Sequence, residues 1–148
     1  MLAPLNLHAI LHQVPGENEN VVRRQWEALE RGGPDAAAEY WHPEISWRAA
    51  QGEVDDVGEI RGREAMCRYY DDWIDMIVDL RGGIDEVVYD SGEYLIAGIQ
   101  TTGHGRGSKV PMRGRYHVLY TIRDGLIVRG REYGSRAQAL AALERLHD

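Results

Sequence analysis

Between a polar stretch at residues 16–20 and the pair Gly32-Gly33, the apolar positions Val22, Trp26 and Leu29 recur at helical spacing. They predict a first helix, capped by Asn18 or Asn20 and stopped by the glycines. Pro34 suits the start of a second, short helix carrying Ala37, Tyr40 and Trp41 on one face, which His42-Pro43 ends because the residue before proline avoids helical angles. The pattern then changes to alternation. Over residues 44–49, Ile45 and Trp47 oppose Ser46 and Arg48, as in a strand with one buried face. Residues 51–62 form an acidic loop with Glu53, Asp55, Asp56 and Glu59, lacking the glycine spacing and ligand order of a calcium loop. A third helix from Arg63 lines up Met66, Tyr70, Trp73 and Ile77 on one stripe, and Arg81-Gly82-Gly83 ends it. Residues 84–89, 94–102, 112–123 and 126–133 read as four strands joined by glycine-containing turns, hence an antiparallel meander. Ser135 with Gln138 three positions on is a capping-box signature for a last helix through Leu140, Leu143 and Leu146.

Three helices before most of a meander predict a segregated α+β domain whose curved sheet is covered on one face by helices; alternating α/β is excluded because strands do not separate the helices. The 148 residues suit one domain over residues 17–148, preceded by an N-terminal arm at residues 1–16 that lacks the basic and unbroken apolar regions of a secretion signal. Charge narrows the partners. With 24 acidic against 17 basic residues the net charge is -7, which disfavours nucleic acid, and no apolar run approaches the length of a membrane span. A single cysteine, Cys67, fits a reducing, cytoplasmic setting and reads as a partly buried thiol. Phe is absent, so four Trp and eight Tyr supply the aromatic bulk and bring polar tips with them.

Strand periodicity puts Arg129 and Arg131 on one face of residues 126–133, and Leu126, Val128, Gly130 and Glu132 on the other. Glu132 thus lies on the apolar face, where it acts either as a general acid or base or as the partner of an arginine such as Arg48 or Arg115. His117 shares a face with Arg113, Arg115, Leu119 and Thr121, opposite Tyr116, Val118, Tyr120 and Ile122. Alternation makes that the wetter face, lining either solvent or a polar cavity. The loop over residues 103–109 looks like a phosphate cradle, but Lys109 leads through Val110-Pro111 into a strand instead of a helix, so it reads as a hairpin loop. No metal site is expected, since the histidines show no paired spacing and thiol partners are missing. The serines sit in no nucleophile elbow.

The segments Tyr40-Trp41-His42-Pro43-Glu44-Ile45-Ser46-Trp47, Ile60-Arg61-Gly62-Arg63-Glu64-Ala65-Met66 and the run from Tyr120 to Tyr133 resemble the SnoaL-like polyketide cyclase group of the nuclear-transport-factor-2-like superfamily. The resemblance covers roughly residues 17–143 and implies a cone-shaped α+β barrel, with dimerisation through the outer sheet face. Arg131-Glu132-Tyr133 falls where related limonene-type epoxide hydrolases carry Arg-Asp-Tyr, but Ile99 and Thr101 stand where that family's partner arginine and aspartate would fall. In steroid isomerases of this fold the base lies near Arg48 and Ala49, where no carboxylate stands, and the oxyanion-holding acid lies near His117. Neither mechanism transfers intact. The resemblance also implies that the His117 position faces into the cone.

Together these readings predict a pocket lined by Trp26, Trp41, Trp47, Tyr70, Trp73, Leu119, His117 and Glu132. Its expected use is cofactor-independent acid/base chemistry of isomerase, cyclase or dehydratase type on a small apolar cyclic or polyketide-like molecule. Glu132 would be base or acid, and His117 would polarise a carbonyl or position water. The alternative is a non-catalytic ligand-binding or dimerisation module, with the tryptophans filling the pocket.

Overall fold

A computed structural model describes residues 16–50 and 58–147. The N-terminal arm up to Pro15, and the part of the acidic loop at residues 51–57, lie outside the described residues. Helix α1 (Glu17–Ala37) starts at Gly16, whose φ of 90° needs no side-chain cap. Asn18 is therefore free for another task, and its Nδ2 donates to Asp90 Oδ1 and the Gly92 carbonyl, both at 3.0 Å, tying the helix start to a distant turn. Gly33 interrupts α1 with φ 75° and ψ -169°, and Pro34 restarts it, as the glycine pair predicts. A 3₁₀ turn (Ala38–Tyr40) leads into strand β1 (Trp41–Arg48). Trp41 is thus the first strand residue instead of part of a helical face. Pro43 is accommodated where the β1 ladder is irregular, between Trp41 and Ser46.

Two further boundaries differ from the pattern reading. Strand β2 (Glu59–Arg61) stands in the predicted acidic loop and pairs antiparallel with β1, placing Ile60 opposite Trp47. Helix α2 (Arg63–Met76) buries Met66 and Tyr70 but ends before Ile77, which opens the 15-residue strand β3 (Ile77–Ser91). Gly82 does not stop a helix there. A Cβ at Gly82 would lie 2.4 Å from the Trp26 ring, so glycine is required for the indole to rest on β3.

Strands β4 (Tyr94–Gly105), β5 (Pro111–Arg123) and β6 (Leu126–Tyr133) continue the antiparallel meander from β3. The sheet order is β2-β1-β6-β5-β4-β3, with β1 parallel to β6. Helix α3 (Arg136–Leu146) is capped by Ser135 Oγ, which accepts from the Gln138 amide at 3.2 Å. The curved sheet separates two clusters. On its inner face α1 and α2 enclose Trp26, Trp41, Trp47, Met66, Tyr70, Ile99, Val118 and Tyr120. On its outer face α3 packs Ala139, Ala142 and Leu143 against Ile96 and Leu119. A bulge sets the phase of β6: Thr121 pairs Arg129 but Ile122 pairs Ile127, leaving Val128 as the extra residue. Ile127 is accordingly buried inward, in place of the Leu126 and Val128 that strict alternation selects.

Candidate functional site

The inner face carries one carboxylate of interest at the end of β6. Glu132 pairs in register with Val118 of β5, so it projects toward the aromatic cluster. Its Oε2 accepts from Trp47 Nε1 at 2.7 Å and its Oε1 from the Ala50 amide at 3.4 Å. Arg115, one of the arginines expected to pair with it, instead binds Asp85 at 2.7 Å and Glu86 at 2.9 Å. The contact with Trp47 depends on Gly130, which lies opposite Trp47 in the parallel β1–β6 ladder. A Cβ on Gly130 would fall 2.0 Å from the indole ring, so only glycine lets Trp47 lie flat on β6 with its N–H at Glu132.

Three buried phenols feel the charge of this carboxylate. Burial holds the Tyr70, Tyr116 and Tyr120 hydroxyls above the ordinary tyrosine range, and the negative charge of Glu132 pushes in the same direction. All three remain protonated donors at neutral pH. Trp41 stacks on Tyr70 with centroids 5.7 Å apart, and Trp26 meets Tyr70 edge-on at 6.0 Å. Gln25 accepts from Trp41 Nε1 at 3.5 Å, whereas Gln25 Nε2 is a buried donor without a hydrogen-bond partner among the described groups, and the Trp26 indole is directed at the Tyr120 hydroxyl. Trp26, Trp41, Trp47 and Tyr70 are each no more than 5% exposed, so they form packed core around the carboxylate.

Three residues assigned to this pocket by sequence lie elsewhere. Trp73 is 38% exposed on α2 and touches the site only through Tyr69, edge-on at 6.4 Å. The predicted stripe is cut short because the helix gives way to strand at Ile77. His117 and Leu119 project from the outer face, because in β5 they alternate with the inward Tyr116, Val118 and Tyr120. His117 Nε2 lies 3.6 Å from Glu86 Oε2, and Glu86 also receives Arg115 and, at 2.8 Å, Arg136 from the start of α3. The histidine belongs to an ionic cluster that ties α3 to β3. It does not share a cavity with Glu132. Cys67 sits 3.9 Å from Asp35 Oδ1, and burial together with that carboxylate pushes its thiol up, away from nucleophile range.

A groove of about 550 Å³ opens on the outer face, between α3 and the C-terminal ends of β1 and β6. Leu119 lines this groove, and Ala49 and Glu132 border it where the two strands end. Sequence reasoning missed it, since it requires β1 to lie parallel beside β6. Arg131 on its wall donates to Glu59 Oε1 at 3.1 Å and to Ser46 Oγ at 3.0 Å, while Ser46 Oγ also donates to Glu59. The Ser46 hydroxyl and then Arg61 hold the Glu59 carboxyl down at about 2.

No helix among the described residues is long and apolar enough to cross a membrane. A search of curated proteins gives no significant match. Among solved structures, the chain is similar to a proposed SnoaL-like polyketide cyclase from Jannaschia sp. CCS1, with 16% identity and a TM-score of 0.65 over 96% of this chain and 95% of that one. A proposed polyketide cyclase from Xanthomonas campestris pv. campestris gives 19% identity and a TM-score of 0.63, over 84% of this chain and 95% of that one. TerC, crystallised with polyporic acid, gives 12% identity and a TM-score of 0.66, over 86% and 98%. At such identities the likeness establishes the fold. The family model described as SnoaL-like domain matches residues 22–130, from α1 through the bulged strand to Gly130, and on that match the chain belongs to the SnoaL-like family.

Proposed function

We propose that the inner face of the cone binds a small, mostly apolar molecule and that Glu132 performs acid/base chemistry on it, of isomerase, cyclase or dehydratase type. The observation that carries this reading is the inward Glu132 carboxylate, held by the Trp47 indole at the edge of an aromatic cluster whose buried phenols feel its charge. The Trp47 indole and the Ala50 amide fix the orientation of the carboxylate, which suits a positioned acid or base. Protonated Tyr70, Tyr116 and Tyr120 offer donors to the oxyanion that forms when a proton leaves the carbon beside a carbonyl. The unpartnered N–H group of Gln25 supports a ligand acceptor in the same space. The related fold crystallised with polyporic acid and the two proposed cyclases agree with a ligand of this class. A homodimer, formed through the part of the outer sheet face that α3 leaves uncovered, and a cytoplasmic setting belong to the same proposal.

The test is a thermal-shift screen against cyclic ketones, aromatic polyketides, steroids and terpenoids, with product analysis of each hit for wild type and Glu132→Gln. The amide keeps an oxygen for the Trp47 N–H, so folding and ligand stabilisation are expected to persist. Turnover is expected to fall by about 10²–10⁴-fold. Undiminished turnover in Glu132→Gln rejects the assignment. The close packing of Trp26, Trp41, Trp47 and Tyr70 favours a second reading, a non-catalytic binding module, which stabilisation without product in wild type would select.

A further inference from the structure

The outer groove carries an electrostatic arrangement that acid/base chemistry at the inner face does not use. Its walls present four guanidinium groups, from Arg48, Arg129, Arg131 and Arg145, above an apolar floor that includes Leu119 and Leu146. The clustering follows from the register. In the parallel β1–β6 ladder Arg48 lies opposite Arg131 and Ser46 opposite Arg129, so strand periodicity sends three arginines to one face, and the last turn of α3 adds the fourth.

Only Arg131 has a carboxylate partner, Glu59; among the described residues Arg48, Arg129 and Arg145 have no ion pair or side-chain hydrogen bond. Burial, and then the charges of Arg129 and Arg48, lower the proton affinity of Arg131, which marks the cluster as mutually repulsive. A chain of net charge -7 has ample carboxylates, yet among the described residues the groove lining sets four arginines against one carboxylate, Glu132 at its strand-end border. Uncompensated charge in a cleft focuses the field on incoming anions, and planar guanidinium forks match carboxylate and phosphate oxygens in pairs.

We propose that this groove is a binding site for a small amphipathic anion, an apolar body ending in a carboxylate or phosphate, with the head among the arginines and the body against Leu119 and Leu146. Glu132 borders the groove at the end of β6, but the proposal uses none of its acid/base chemistry and stands if that reading fails. Octanoate and octyl phosphate are the probes, octanol and inorganic phosphate the controls, titrated by calorimetry into wild type and Arg129→Gln/Arg145→Gln, with light scattering on both proteins. Both substituted residues are exposed and unpaired, so the variant is expected to melt as wild type does.

The expected result is saturable binding of octanoate, octyl phosphate or both, the preference identifying the head group. Octanol should not bind measurably, inorganic phosphate should bind more weakly than octyl phosphate, and the double variant should lose at least about tenfold in affinity for the anionic probes. Equal binding of octanol, unchanged affinity in the variant, or no binding of either anionic probe overturns the proposal. So does a wild-type dimer that becomes monomeric in the variant, because the groove is then a contact between two copies of the chain.

Discussion

Gly130 and Gly82 do the same work on opposite edges of the inner cluster, each giving up a side chain so that an indole can lie against the backbone. Gly130→Ala places a methyl inside the Trp47 ring, and the ring must tilt away, breaking the bond to Glu132. We expect a loss of about 1–3 kcal/mol in urea denaturation, with a shift in tryptophan emission. The inward position of Glu132 was legible from strand periodicity, because the residues after Val128 are in regular register with β5. What periodicity could not supply is its partner, an indole from a strand 85 residues away in sequence. His117 was half legible: alternation set it on the face opposite Tyr116 and Val118 but left that face open to solvent or to a cavity, and the structure puts it outside. The family resemblance turned that reading the wrong way.

Among elements, the edge strand β2 is held by charge as much as by its short ladder. Glu59 is bound by Ser46, Arg61 and Arg131, and its carboxyl lies at about 2 instead of the usual 4.5. A depressed carboxyl stabilises the fold fully above about pH 4.5 and loses that contribution as the pH falls toward 2. Wild type is therefore expected to lose stability across this interval more steeply than Glu59→Gln, measured as melting temperature against pH. Helix α3 depends on its Ser135 cap, and Ser135→Ala should cost about 1 kcal/mol by thermal denaturation. That cap was plain in the sequence because it is local. The end of α2 was not, since its last carbonyls are satisfied from outside: Arg106 in the β4–β5 loop donates to Ile74 and Asp75 at 3.1 and 2.8 Å. A loop that reads as a simple hairpin connection thus closes a helix terminus.

At the scale of the molecule, the meander was legible because neighbouring strands are joined by short turns, and the α+β class followed from it. The parallel pairing of β1 with β6 was not, since those partners are separated by most of the chain and nothing local records their register. That one pairing assembles the Trp47–Gly130–Glu132 contact on the inner face and the Arg48–Arg131 pair on the outer one. A single sheet thereby presents an aromatic cluster holding one carboxylate and an arginine groove on its two sides.

The bulge at Val128 has a consequence for comparing relatives of this fold. Beyond it, inward and outward positions exchange parity, so a relative whose last strand is regular differs from this one by a single inserted residue. Aligned without a gap at that point, its catalytic column would be matched to Arg131 or Tyr133 and its solvent-facing column to Glu132. Roles borrowed along this strand hold only when the gap is opened at the bulge, since a misplaced gap sets the inward Glu132 beside an outward position of the relative.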